Sequence, residues 1–128
     1  MRLLLDTHTL IWWLIDDPAL SGAARAAIAD ERNEILVSAA SAWEIATKHR
    51  LGKLPSAAAL VADIAGAVTD QGFLPLPVTI GHAQKAGLLP GLHRDPFDRM
   101  LIAQAMLDDL ALVSNEAVFD SYGTRRLW

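Results

Sequence analysis

Four acidic residues stand where apolar, strand-like runs end or where the neighbouring helices open: Asp6, Glu44, Asp98 and Glu116. Asp6 directly follows the run Leu3-Leu4-Leu5. Glu44 falls in the first turn of the helical segment after Ile35-Leu36-Val37. Asp98 falls in the first turn of the segment opened by Asp95-Pro96, and Glu116 lies three residues beyond Val113. If these ends share one edge of a sheet, the carboxylates repel one another, and some must protonate unless a cation lies among them. Carboxylates and water are the ligands of hard divalent ions, so Mg²⁺ or Mn²⁺ is the cofactor such a set selects. The chain has no cysteine, and none of its four histidines has His-x-x-x-His spacing, which argues against zinc. An ion held this way suits phosphodiester hydrolysis, because it activates a water and stabilises charge on the departing oxygen without a protein nucleophile.

Each acid also has a plainer reading. Ser41-Ala42-Trp43-Glu44 has the form of a capping box, in which Glu44 only caps a helix. Asp95 and Asp98 suit a helix N-terminus and its dipole. Glu116 fits an ordinary surface turn. Asp6 is the hardest to explain away, since an acid directly after a buried apolar strand is costly unless paired or metal-bound.

The elements that would position these acids alternate strand and helix. Strands are expected at Arg2–Leu5, 35–37, 73–76 and Ala111–Val113, with a last edge strand at 126–128. Helical segments are expected at about 9–14, from the cap Ser21 to about 31, from Ser41 to near Gly52, and from the cap Ser56 through 57–69 to Gly72. Others are expected from Thr79 to near Gly87, from Asp95 with Pro96 at the first helical position, and around 117–121. Alternation of this kind implies an open α/β sheet with parallel pairing, helices on both faces and a ligand site at the carboxyl ends of the strands.

The residues then match a known pattern. Leu4-Leu5-Asp6-Thr7-His8, followed by Leu10-Ile11-Trp12-Trp13-Leu14, resembles the start of bacterial PIN-domain toxins of the VapC type. The match continues through Val37-Ser38-Ala39-Ala40-Ser41-Ala42-Trp43-Glu44-Ile45-Ala46 and Leu51-Gly52-Lys53-Leu54. It continues again through His93-Arg94-Asp95-Pro96-Phe97-Asp98-Arg99-Met100-Leu101-Ile102-Ala103-Gln104-Ala105, and then from Leu112-Val113-Ser114-Asn115-Glu116 to Leu127-Trp128. The resemblance implies an α/β/α sandwich with a central, mostly parallel sheet of four to five strands, with residues 1–128 forming a single PIN domain. It implies Mg²⁺- or Mn²⁺-dependent endoribonuclease activity on RNA, as the toxin of a type II toxin–antitoxin system. It also implies a homodimer, and inhibition by a small antitoxin that enters the acidic pocket.

Carried over by motif, Asp6, Glu44 and Asp98 match the three core acids and would hold the metal. Asp95 is an extra acid, in an outer shell or a cap. The fourth acid falls on Glu116, where the family usually has Asp; the side chain is one methylene longer, so it would act through water or not at all. Thr7 and Ser114 would hydrogen-bond the ligands or their waters, or else cap strand ends. Lys48, Arg94 and Arg99, with Arg50, Lys53 and His93, would meet phosphates or stand as solvated surface charges. Trp12, Trp13 and Trp43 read as core, or as a subunit or antitoxin surface.

The bulk numbers set the frame. The 128 residues suit one domain, and 52% hydrophobic content excludes disorder. The net charge of −4 is unusual for a phosphate binder. Setting the four site acids aside leaves 11 of the 15 acidic residues against 11 basic ones, a balanced remainder. Asp6 interrupts the N-terminal apolar run too early for a signal peptide, and no apolar stretch is long enough to cross a membrane, so a soluble, cytoplasmic protein is expected.

Among rivals, a haloacid-dehalogenase-type phosphatase needs a second Asp where this chain has His8. A receiver domain needs an acidic pair and a late Lys. A catalytically silent PIN-like binding module would lack the core acids. A DNA nuclease with the same acidic metal site would usually be longer.

Overall fold

The structure, a computed structural model, describes residues 1–91 and 93–128. Leu3, Leu4 and Leu5 are all fully buried, on both faces of strand β1 (Arg2–Leu5). Burial at every position rather than every second one marks a strand at the centre of a parallel sheet covered on both sides. β1 is indeed flanked by β2 (Glu34–Ser38) and β4 (Ala111–Val113), both parallel to it. β3 (Leu74–Leu76) extends the sheet beside β2 and β5 (Arg126–Leu127) beside β4. The order is β3-β2-β1-β4-β5, so the chain steps outward from β1 one way and later returns to its other side. The carboxyl ends of β1 and β4 therefore meet at the switch point of the sheet, where ligands of open α/β folds bind.

Alternate residues feed two cores. Leu3, Leu5, Ile35, Val37, Ala111 and Val113 face α1 (Thr7–Ile15), α2 (Gly22–Ala29) and α5 (Ile64–Asp70), together with Ile45 of α3 (Ala39–Arg50). Leu4, Leu36, Leu76 and Leu112 face α6 (Ile80–Leu88) and α7 (Pro96–Leu107). The result is an α/β/α sandwich with a five-stranded parallel sheet.

Local chemistry sets the helix starts. Ser21 accepts from the Ala24 amide, Thr79 from that of His82, and Asp95 from those of Phe97 and Asp98. Two expectations are corrected. Helix α3 starts at Ala39, capped by Ser38 through the Ala40 amide at 3.0 Å, so Ser41 and Glu44 lie within the helix and form no capping box. The single helix expected over 57–69 is divided into a 3₁₀ turn (Pro55–Ala57), α4 (Ala58–Val61) and α5, because the Asp63 carboxylate caps the Gly66 amide and starts the helix afresh. Trp12 and Trp13 are half-buried against the core as expected, whereas Trp43 is 64% exposed.

Leu112 is fully buried on β4, the strand that leads to Glu116. Leu112→Ala is expected to lower the unfolding free energy by about 2–5 kcal/mol, read as a lower urea midpoint with an unchanged slope.

Candidate active site

The acids arrive at one edge through separate elements. Asp6 ends β1 and caps α1, its Oδ1 accepting from the Thr9 amide at 2.8 Å. Thr9 donates its hydroxyl to the Val113 carbonyl at 2.9 Å, which ties the start of α1 to the end of β4. Thr7, one residue past Asp6, donates its hydroxyl to Glu44 Oε1 at 2.6 Å, with Ser41 Oγ at 3.1 Å. The ends of β1 and α3 are therefore joined through buried side chains. The other Glu44 oxygen pairs with Lys48, one helical turn on. Asp6 and Glu44 are each only 3% exposed, a degree of burial that carboxylates tolerate only when paired or ligated.

Asp98 sits in the first turn of α7, next to its cap Asp95, and meets His93 Nε2 at 2.9 Å. Burial pushes its carboxyl up, from 3.8 to about 7; the His93 contact opposes the shift, while the charges of Asp95, Glu116 and Glu44 add to it. The last three influences matter most for the site, since they place Glu44 from α3, Glu116 from beyond β4 and the α7 acids within electrostatic reach of one another. Lys48 reports the same crowding from the other side. Burial pulls its ammonium down, but the hydrogen bond and charge of Glu44, with the charges of Asp95 and Asp98, outweigh it and raise the pKa.

The acids are neighbours but not a finished cage. Among the described residues, no three His, Cys, Asp or Glu side chains converge tightly enough to hold a metal as they stand. Asp6 is turned to the Thr9 amide, Glu44 to Thr7 and Lys48, and Asp98 to His93, and each would ligate an ion by rotating away from a local partner. The donor set suits a hard divalent ion: oxygen ligands, an excess of negative charge, and a carboxyl held partly protonated by burial and by its neighbours.

Ser114 is fully buried, and its Oγ accepts from the Glu116 amide at 3.0 Å, so it shapes the turn that presents Glu116. Arg94 is exposed beside Asp95. Arg99, expected to meet phosphate, instead donates to the carbonyls of Ala86, His93 and Leu89; its guanidinium clamps the approach to α7, and this corrects the substrate-binding expectation. Ser41, expected as a cap, lies within α3, and Trp43, expected first as core, is exposed. The helical wheel carried the signal for Trp43, which lies about 160° round α3 from the buried Ser41.

A carboxyl raised from 3.8 to about 7 favours the fold while protonated, and this contribution is lost as pH rises through 7. Metal-free protein is therefore expected to lose stability through Asp98 as the solution approaches neutrality, and added Mn²⁺ to restore it. Carboxyl NMR should show Asp98 titrating near 7 without metal and well below that with it; titration near 3.8 in both states would contradict the crowding.

A family model described as the PIN domain matches residues 3–124. Ribonuclease VapC16 of Mycobacterium tuberculosis is 47% identical over 58 residues, which cover 45% of this chain and 41% of that protein, so the match spans about two fifths of the relative's length. The fold is similar to the crystal structure of VapBC2 from Rickettsia felis bound to a promoter DNA fragment, with TM-score 0.71, 15% identity, and coverage of 98% of this chain and 97% of that one. It is also similar to that of Mycobacterium tuberculosis VapC20, described as a sarcin-ricin loop cleaving toxin, with TM-score 0.65, 15% identity and 95% coverage of each chain.

Proposed function

The chain belongs to the PIN domain family, and from that premise we propose that it is a divalent-metal-dependent endoribonuclease and the toxin of a toxin–antitoxin pair. The observation that carries the reading is the gathering of buried acids from separate elements at the carboxyl edge of the sheet: Asp6 and Glu44 are each 3% exposed, and burial, with the charges of Asp95, Glu116 and Glu44, raises the Asp98 carboxyl to about 7. A purely structural set of helix caps has no need to gather charge in this way. Support also comes from the partial match to a ribonuclease, and from folds shared with a toxin of described RNA specificity and with a VapBC complex.

In this reading Asp6, Glu44 and Asp98 hold Mg²⁺ or Mn²⁺. When bound, the ion supplies an activated water and stabilises charge on the departing ribose oxygen. The protein's own groups do the positioning. Thr7 fixes one oxygen of Glu44 at 2.6 Å and leaves the other to Lys48. Asp95 anchors the first turn of α7 through the Phe97 and Asp98 amides and so sets the direction of Asp98. Ser114 orients Glu116, whose longer side chain acts through water. Lys48 has further ammonium hydrogens to offer a phosphate, and Arg94 stands exposed next to Asp95 in the chain. The partners in this reading are an RNA substrate, a small cognate antitoxin and a second copy of the chain, with residues 1–128 acting as one domain in the cytoplasm.

Purified, partner-free protein is expected to cut single-stranded RNA with added Mn²⁺ or Mg²⁺, and to stop with EDTA or with Asp6→Asn. A folded wild type that binds no divalent ion and cuts no RNA would reduce the acids to caps and favour a binding module. Thr7→Val keeps the side-chain shape but frees Glu44, and should lower activity or metal affinity by about 10–100-fold.

A further inference from the structure

Trp43 and Phe97 precede Glu44 and Asp98 by one residue each, on two different helices. Their rings meet edge to face, with centroids 5.0 Å apart and planes at 76°. A step of one residue moves a side chain about 100° round a helix and ~1.5 Å along it. Each ring therefore leaves its helix about 100° round from the acid that follows it, while Ala40, one helical turn before Glu44 on α3, carries the neighbouring wall towards that acid. Both rings line a largely apolar cleft of about 400 Å³ together with Ala39, Ala40, Pro96, Met100 and Arg99, with none of the site acids in its wall. Phe97 is half-buried, whereas Trp43 remains 64% exposed.

We propose that this cleft is a nucleobase subsite, in which Trp43 stacks one base of single-stranded RNA flanking the phosphate held at Glu44 and Asp98. The inference rests on the nuclease reading and names how that site grips its substrate. The occupant follows from three features. The cleft lies at the small-ligand end of the usual range, roughly 300–1,000 Å³, which suits a planar ring better than a helix or a second protein surface. Its wall is apolar apart from Arg99, and it includes the largely exposed Trp43 indole, the kind of ring on which bases stack irrespective of their identity. It also adjoins the acids, so a nucleotide whose phosphate reaches them delivers its base to the neighbouring aromatics without a bridging segment.

A base stacked on an aromatic side chain is worth about 1–3 kcal/mol, or roughly 5- to 150-fold in affinity. The test uses Mn²⁺-loaded protein with nucleoside 5′-monophosphates and, as the base-free control, ribose 5-phosphate, measured by calorimetry. Neither probe has an internal phosphodiester, so the result does not depend on cleavage. Wild type should bind the nucleotides roughly 5- to 150-fold more tightly than ribose 5-phosphate. Trp43→Ala should erase that difference, and Trp43→Phe should keep most of it. Equal affinity for nucleotide and ribose 5-phosphate, or discrimination that survives Trp43→Ala, overturns the proposal. If nucleotide binding is unchanged in Trp43→Ala while sedimentation shows a smaller particle, the cleft is a surface for a second copy, and the proposal is overturned. A wild type that discriminates by base but cuts no RNA keeps the subsite and removes the nuclease reading. One that cuts RNA without discriminating removes the subsite alone.

Discussion

Like-charge repulsion at the carboxyl edge of the sheet is the constraint around which this molecule is arranged. Asp6, Glu44 and Asp98 are delivered by three separate elements, and Asp95 and Glu116 flank them. Left to themselves, such groups would move apart or protonate. The fold prevents the first by locking the backbones: Thr9 binds α1 to β4, Thr7 reaches across to Glu44, and Asp95 pins the first turn of α7. The second it accepts at Asp98, where burial together with these charges keeps the carboxyl protonated to about pH 7. Lys48 relieves part of the charge and is itself held protonated by the same acids.

In the proposed reading, this arrangement reconciles the chain's net acidity with a polyanionic substrate. The negative charge is concentrated where a cation would neutralise it, and the remainder of the chain is balanced. It also explains why the acids do not stand as a ready cage. Each has a local partner, so the acids are held close to one another without an ion. Local pairing and later ligation are compatible because rotating a side chain is cheap compared with moving a packed helix.

Much of this was legible in the residues. Three consecutive leucines before Asp6, the β-branched and leucine runs of β2 and β4, and the caps Ser21, Thr79 and Asp95 carried the alternation, the parallel sheet and the edge on which the acids lie. The misreadings have local causes. Ser38 and Ser41 are both credible caps, and only the depth to which β2 runs decides between them. The segment 57–69 is alanine-rich enough for one helix, but Asp63 offers its own carboxylate to the backbone and divides it. Arg99 reads as a phosphate ligand in one dimension, yet three carbonyls left open between α6 and α7 claim its donors first. Pairings of this kind depend on loops whose path no periodicity encodes.

The central claim is that Asp6, Glu44 and Asp98 form one divalent-ion site. It is tested most directly by growing crystals of the partner-free protein with Mn²⁺ and locating manganese from its anomalous scattering. The account predicts a peak ligated by Asp6 and Asp98, with Glu44 turned away from Lys48 towards the ion, and no such peak in Asp6→Asn crystals. Ordered, metal-soaked crystals with no anomalous density at these acids, and Glu44 still paired with Lys48, would contradict it.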